Sequence, residues 1–279
     1  MELNGINPME QEQEQDEVLP RALRNSRLRR GVYIIPSAFT VANMLCGYFA
    51  ILATLDGKVS DFENAAAAIG LAYVFDSMDG RIARWMGTES DFGREFDSLA
   101  DIVSFGLAPA FLAYAWGVRT FAAANAPEVL HLTQLGWLVG FIFVASCAWR
   151  LARFNIQGMA PGGNKYFVGM PTPAAAGMLA ATVYYFHGVP IQSVRLSILW
   201  LVLMVALSVL MSSTLRFFSF KDVPWKRKQR SPAVILLALV FATTLYFSHL
   251  MLFIITACYT LHGPVMQIFR HFRLRARPA

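Results

Sequence analysis

The sequence predicts an all-α, polytopic membrane protein of about eight transmembrane helices with both termini in the cytoplasm. Three observations carry that expectation. The 279 residues are 56% hydrophobic and only 15% charged, with a mean hydropathy of +0.46, against roughly 25% charged residues in soluble domains. Apolar stretches of about 17–25 residues, long enough to cross a bilayer, recur along most of the chain. All but Lys58, Arg119 and Arg195 of the 24 Lys and Arg fall in segments that this topology places inside, which is the asymmetry that orients membrane helices. A large soluble helical protein would need more polar surface than this chain has.

Taken in order, the elements begin with a tail. Residues 9–17 are acidic and Gln-rich and precede an Arg-rich stretch, so the N-terminus reads as solvated and not as a secretory signal. Residues 18–31 interleave leucine with five arginines, suiting a basic helix on an anionic membrane surface or a disordered basic tail alike. Spans are expected near 34–55, 64–84, 95–117, 134–154, 167–187, 195–214, 231–248 and 249–269. The last two are separated only by Ser248 and His249 and are read as a hairpin. Inside charges cluster before the first span, in 81–94, 150–165 and 216–230, and after the eighth span.

Cys46, Cys147 and Cys258 fall in apolar segments without metal-ligand spacing and are expected as buried thiols, with no structural disulfide. The five histidines are scattered singly. Packing or interfacial roles are expected for them rather than ligation, and no nucleic-acid partner is expected for the chain.

Most acidic residues avoid the spans, yet DSMDGRIARWMGTESDFGREFDSLAD, residues 76–101, places carboxylates at or inside the ends of two predicted helices. Ionisable groups at membrane depth are costly and mark function. Asp76, Asp79, Gly80, Ala83 and Arg84 stand at i, i+3, i+4, i+7 and i+8, which is one helical face. Gly93, Asp97 and Asp101 repeat every four residues on the next helix, and a tight turn lets the two faces oppose each other. Four converging carboxylates cannot all stay ionised without a counter-charge. A divalent ion supplies it, and all-oxygen ligation selects Mg²⁺ or Mn²⁺ over Zn²⁺. The set is large enough for two ions about 3.5–4 Å apart, the separation used in phosphoryl-type displacements. Gly80, Ala83 and Gly93 are small where a nucleotide must approach the backbone, and Arg84 offers a planar phosphate donor. Small residues on a helix face also serve helix packing.

This stretch resembles the signature of the CDP-alcohol phosphatidyltransferase family, Asp-x2-Asp-Gly-x2-Ala-Arg-x8-Gly-x3-Asp-x3-Asp. Every fixed position is met, from Asp76 through Asp79, Gly80, Ala83, Arg84, Gly93 and Asp97 to Asp101. Further blocks are similar to the bacterial membrane-type phosphatidylserine synthases within that family. These are IPSAFTVANMLCGYFAI (35–51, with Ser37 where Asn is usual), FDSLADIVSFGLAPA (96–110), RLARFN (150–155) and YFVGMPTPAAAG (166–177). The resemblance covers roughly residues 33–190. It divides the chain into a tail (1–33), catalytic helices (34–190) and C-terminal helices with a basic tail (191–279).

The resemblance implies transfer of a phosphatidyl group from CDP-diacylglycerol to an alcohol with release of CMP, L-serine being the expected acceptor. It implies two metal ions held by Asp76, Asp79 and Asp97, with Asp101 contributing to the second and acting as general base on the acceptor hydroxyl. Gly80, Arg84 and Ser90 match positions that contact the CDP moiety, with Thr40 and Asn43 beside them. A homodimer through membrane helices is implied, in a bacterial inner membrane with the site facing the cytoplasm. A serine acceptor needs a cation for its carboxylate. Arg150 and Arg153 are the candidates, with Asn155 as a polar partner, although arginines at that end also satisfy the positive-inside rule. The competing readings are a sibling using another alcohol, such as inositol phosphate or glycerol phosphate, and a metal-ion transporter. The transporter would place its carboxylates near mid-membrane on broken helices.

Overall fold

A computed structural model describes residues 38–87, 90–119, 130–157, 166–218 and 248–275. The basic stretch at 18–31, the start of the first span, most of the 216–230 loop and all but the last residue of the seventh span expected at 231–248 lie outside the described residues. Seven helices are seen among them: α1 (Ala38–Asp56), α2 (Val59–Met86), α3 (Asp91–Arg119), α4 (Leu130–Gln157), α5 (Thr172–Tyr185), α6 (Val194–Ser212) and α7 (Ser248–Arg275). Five of them contain segments long and apolar enough to cross a bilayer: α1, α3, α4, α6 and α7. The chain is a polytopic membrane protein. Val41, Leu45 and Phe49 on α1, Phe141 on α4 and Leu199 and Val209 on α6 leave large apolar side chains exposed on the outside of the bundle, as lipid-facing surfaces require.

α5 lies in the interior and one face of α2 packs against it, the other face of α2 leaving Leu71, Tyr73 and Val74 exposed. Ala65, Ala66, Ala68 and Ala72 of α2 and Ala175, Ala176 and Ala180 of α5 are all buried, and such small residues let membrane helices approach closely. α3 is one continuous helix interrupted by two π-helical segments, Ile102–Leu107 and Ala115–Arg119. Backbone groups near the second one find partners outside the helix, because an unsatisfied carbonyl in an apolar interior is costly. Trp200 Nε1 of α6 donates to the Ala113 carbonyl (2.9 Å), Ser197 Oγ to that of Gly117 (2.7 Å) and the Ile191 amide to that of Trp116 (3.3 Å). At the same end of the bundle, Arg119 donates to the Thr54 and Leu55 carbonyls (3.2 and 3.4 Å), capping α1 with the positive charge that a helix C-terminus favours.

The structure corrects two sequence expectations here. The helix expected over 167–187 starts only at Thr172. Tyr166–Val168 is instead a strand, β1, paired antiparallel with β2 (Arg216–Phe218), so that Tyr166 faces Phe218 and Val168 faces Arg216. Gly169 turns the chain at φ +78°, and Pro171 follows in an extended conformation as the N-cap of α5. The residue before a proline is disfavoured in the helical region, which keeps Met170 out of the helix ahead of Pro171. The freed backbone is satisfied from α6 and its C-terminal turn, with the Gly169 amide donating to the Leu215 carbonyl (2.8 Å) and the Met170 amide to that of Leu210 (3.0 Å). The second correction concerns the cysteines. Cys147 is buried, but Cys46 is only partly so and Cys258 is exposed, all three being free thiols.

Candidate active site

Four helices end around one point. α2 brings Asp76 and Asp79 in its last three turns and then stops at Gly87, whose φ of +61° closes the helix as its amide reaches back to the Arg84 carbonyl. α3 restarts at Ser90, whose Oγ accepts from the Gly93 amide (3.0 Å) as an N-cap. Two turns on, α3 delivers Asp97 and then Asp101. One carboxylate oxygen each from Asp76, Asp97 and Asp101 lies within 4.8 Å of the others. Asp79 is buried beside this triad and accepts from Thr40 Oγ1 of α1 (3.0 Å).

α1 is therefore more than a lipid-facing span. Asn43, fully buried, donates from Nδ2 to Asp101 Oδ1 (3.2 Å), and its own carbonyl accepts from Ser104 Oγ (2.8 Å) in the π-helical segment that follows Asp101. Gly47 makes that approach possible, since a Cβ there would stand 2.7 Å from the Ser104 Cα. Ser104 and the π-helical segment are what sequence reasoning missed. The extra residue in that turn re-aims α3 directly after Asp101, as such insertions often do at functional sites. Nothing in a 3.6-residue pattern announces it.

The residues fit a divalent cation. Asp97 Oδ1 is buried and without a hydrogen-bond partner among the described residues, and the charges that act on this carboxylate are those of further aspartates, Asp79 and Asp76. An oxygen held there without a donor is a ligand atom in waiting. Gly80, Arg84 and Ser90 lie exposed at the rim, with Ala83 and Gly93 half-buried. A Cβ on Gly80 would meet nothing within 4 Å, whereas one on Gly93 would press on Ser90 Oγ. Gly80 thus leaves open space, and Gly93 serves the N-cap.

The three residues expected at an acceptor pocket separate. Arg150, buried on α4, donates from one terminal nitrogen to Thr172 Oγ1 at the start of α5 (3.2 Å). Its Nε has no partner among the described residues, and Asp101 and Cys147 lie within its electrostatic reach. Arg153, one turn further, instead donates to the carbonyls of Val168, Ser212 and Ser213 (3.1–3.2 Å). It ties the end of α6 to the ribbon. Asn155 bonds Ser98 Oγ (3.0 Å) and Glu95 Oε2 (3.3 Å) on α3, a bridge between helices.

The family model for CDP-alcohol phosphatidyltransferases matches residues 33–199. The chain belongs to the CDP-alcohol phosphatidyltransferase family. It is 32% identical over 239 residues to a CDP-diacylglycerol–serine O-phosphatidyltransferase of Helicobacter pylori, covering 85% of this chain and 92% of that protein. It is 31% identical over 248 residues to the Mycobacterium tuberculosis protein of the same description, covering 85% and 80%. An archaetidylserine synthase of Methanothermobacter thermautotrophicus is 36% identical over 186 residues, covering 66% and 69%. The matched family segment contains Thr40, Asn43, Asp76, Asp79, Asp97, Asp101 and Arg150.

Proposed function

We propose that the chain transfers the phosphatidyl group of CDP-diacylglycerol to the hydroxyl of L-serine, giving phosphatidylserine and CMP. The observation that carries this reading is the triad of Asp76, Asp97 and Asp101, their oxygens within 4.8 Å, beside a buried arginine with a donor to spare. The names of the relatives support serine as the acceptor. Asp76, Asp79, Asp97 and Asp101 are the residues that would hold two Mg²⁺ or Mn²⁺ ions. Metal bound there supplies Lewis-acid stabilisation of the pyrophosphate and of the departing CMP.

Within this proposal Asp101 is the general base. A serine hydroxyl is a poor nucleophile at neutral pH, and Asp101 takes its proton as the new P–O bond forms and the pyrophosphate P–O bond to CMP breaks. Asn43 acts as a positioning residue, because its amide fixes one Asp101 oxygen. Gly80, Ala83, Arg84, Ser90 and Gly93 are proposed to receive the CDP moiety from the open rim, with Thr40 and Asn43 beneath them. Arg150 is proposed to pair with the serine carboxylate. Arg153 and Asn155 leave that role to it, their donors being engaged in joining helices.

The proposed topology keeps eight spans with both termini and the aspartates on the cytoplasmic face of the inner membrane. It is supported by α6 ending at the aspartate end of the bundle while α7 begins at the opposite one, which calls for one more crossing. A homodimer through membrane helices completes the reading, and crosslinking in native membranes checks it.

The deciding experiment incubates detergent-purified protein with CDP-diacylglycerol, Mg²⁺ or Mn²⁺, and a panel of alcohols while CMP is followed. Serine-dependent CMP release that stops with chelator is expected. Release driven by inositol phosphate or glycerol phosphate but not serine would move the chain to a sibling activity.

A further inference from the structure

Away from the aspartates, at the other end of α2, the structure brings together Glu63, His187 and His249. One ligand atom from each lies within 4.8 Å of the others. His187 sits in the turn after α5 and His249 opens α7, so two histidines that stand alone in sequence share one carboxylate in space. Glu63 and Asp76 are on the same helix, which at 1.5 Å per residue separates the two clusters by roughly 20 Å.

The hydrogen-bonding pattern makes this cluster a ligand set. His249 Nδ1 lies 2.8 Å from the Tyr184 carbonyl oxygen. That oxygen can only accept, so Nδ1 carries the proton, and in the neutral ring Nε2 is left as a lone pair. Nε2 faces Glu63 Oε1 at 3.9 Å, and His187 Nδ1 faces the same oxygen at 3.7 Å. Both distances exceed the 2.7–3.2 Å of a hydrogen bond. They come within a few tenths of an ångström of the roughly 3.3–3.5 Å that separates two ligands bound at 2.0–2.1 Å around a tetrahedral ion. A backbone carbonyl fixing the far nitrogen of a ligating histidine is the usual arrangement that orients such a ring. The two rings lie 4.2 Å apart, centroid to centroid, and His249 is stacked on Tyr184 at 4.0 Å. Two imidazolium ions so close would repel each other. Two neutral imidazoles and a carboxylate around one dication do not.

The backbone is shaped to hold His187 there. His187 and Gly188 are consecutive left-handed residues, at φ +51° and +69°. A Cβ on Gly188 would collide with the Val59 carbonyl at the start of α2, so the turn can be pressed against that helix only with glycine at 188. His187 is exposed and Glu63 and His249 are partly so, which leaves the cluster open to ions from solution.

We propose that Glu63, His187 and His249 form a second metal site, for a borderline transition-metal dication of the Zn²⁺ class. Mixed imidazole and carboxylate ligation selects that class over Mg²⁺. The site clamps the first turn of α7 to α2 and to the α5–α6 turn, on the face of the bundle opposite the catalytic end, and leaves one position for water.

The test uses the full chain in detergent, stripped with chelator and titrated with Co²⁺. Four-coordinate cobalt absorbs visible light far more strongly than the six-coordinate ion expected on aspartates. One equivalent of the strong band is expected in the wild type and in Asp97→Asn, displaced by Zn²⁺. His249→Ala should abolish the band, and Glu63→Gln should weaken binding at least about 10-fold. His249→Gln, which keeps bulk and polarity, serves if the alanine variant fails to fold. Zn²⁺ should raise the thermal midpoint of the wild type and leave that of His249→Gln unchanged. A band that survives His249→Gln, or is lost in Asp97→Asn, overturns the proposal. So does a thermal midpoint that responds to pH between 5 and 7 but not to Zn²⁺, which would make the cluster a proton-sharing contact only.

Discussion

At its C-terminal end α2 presents Asp76 and Asp79 to a helix that begins only a few residues later, whereas at its N-terminal end Glu63 meets two histidines from the far half of the chain. Both ends gather a carboxylate with groups from other elements. They differ in ligand chemistry and in how the chain brings the groups together. The aspartate end is all oxygen, deep and braced by α1, while the Glu63 end mixes imidazole with carboxylate and lies open. A site built across a tight turn leaves a spacing that can be read along the sequence. A site built by tertiary packing leaves none.

The largest expected effect belongs to the aspartate end and separates the base from the metal ligands. Asp101→Asn keeps the size of the side chain and one coordinating oxygen but cannot take a proton in the same way. Its kcat should fall by at least about 10²-fold, with CDP-diacylglycerol binding nearly intact. Asp76→Asn should instead shift the metal requirement, so that added Mg²⁺ or Mn²⁺ restores part of the rate, because losing a ligand and losing a transition-state group give different kinetic signatures. Metal titration of both variants at saturating serine checks this. Recovery of Asp101→Asn by metal alone would make Asp101 a ligand only.

Next in size is a contrast within the catalytic end, between two arginines one helical turn apart. Arg150→Lys removes the fork that reaches Thr172 and leaves a shorter point charge. If that guanidinium binds the serine carboxylate, the KM for serine should rise roughly 10–100-fold, the equivalent of one charged hydrogen bond. Arg153→Lys should leave the serine KM unchanged and lower thermal stability, since it loses contacts to three carbonyls. Steady-state kinetics with varied serine, beside melting curves, separates them. Equal KM changes in both would return the pocket to the whole RLARFN block.

These contrasts show where the sequence was informative. The aspartates were legible because a helical period projects Asp76, Asp79, Asp97 and Asp101 onto two facing stripes. The separate fates of Arg150 and Arg153 were not, because at one turn apart on one helix both satisfy the same pattern. Only the strand at Tyr166–Val168 and the end of α6 decide which is used for capping. The late start of α5 was written in Gly169, Pro171 and Pro173, but hydropathy over 167–187 concealed it. His187 and His249 were invisible as a pair, since no local period connects a turn after one helix to the start of another.

A smaller effect probes how α1 braces the aspartate end. Gly47→Ala would set a Cβ 2.7 Å from the Ser104 Cα, and backbone cannot swing aside as a side chain can. Overpacking of this kind costs about 1–3 kcal/mol. The expected outcome is a lower thermal midpoint together with a reduced kcat, because forcing α1 from α3 moves Asn43 off Asp101. Cobalt binding at the Glu63 end should be unchanged. If stability falls while kcat holds, Asn43 does not position Asp101.

The smallest effect concerns Ser90, for which sequence and structure offer different reasons. Its match to the family signature implies contact with the CDP moiety, while its Oγ demonstrably accepts from the Gly93 amide as the N-cap of α3. Ser90→Ala removes both functions and so cannot tell them apart, though it should cost about 1 kcal/mol for the lost cap. Ser90→Asp can. Aspartate is as good an N-cap as serine and its charge suits the positive end of a helix, so stability should stay near that of the wild type. The same charge at the exposed rim would stand against an incoming pyrophosphate, and the KM for CDP-diacylglycerol should rise several-fold with the KM for serine unmoved. Melting curves and kinetics with varied CDP-lipid in mixed micelles read the two effects separately. Wild-type values in both assays for Ser90→Asp would leave Ser90 as a cap alone and place the CDP contacts further along α2, at Gly80 and Arg84.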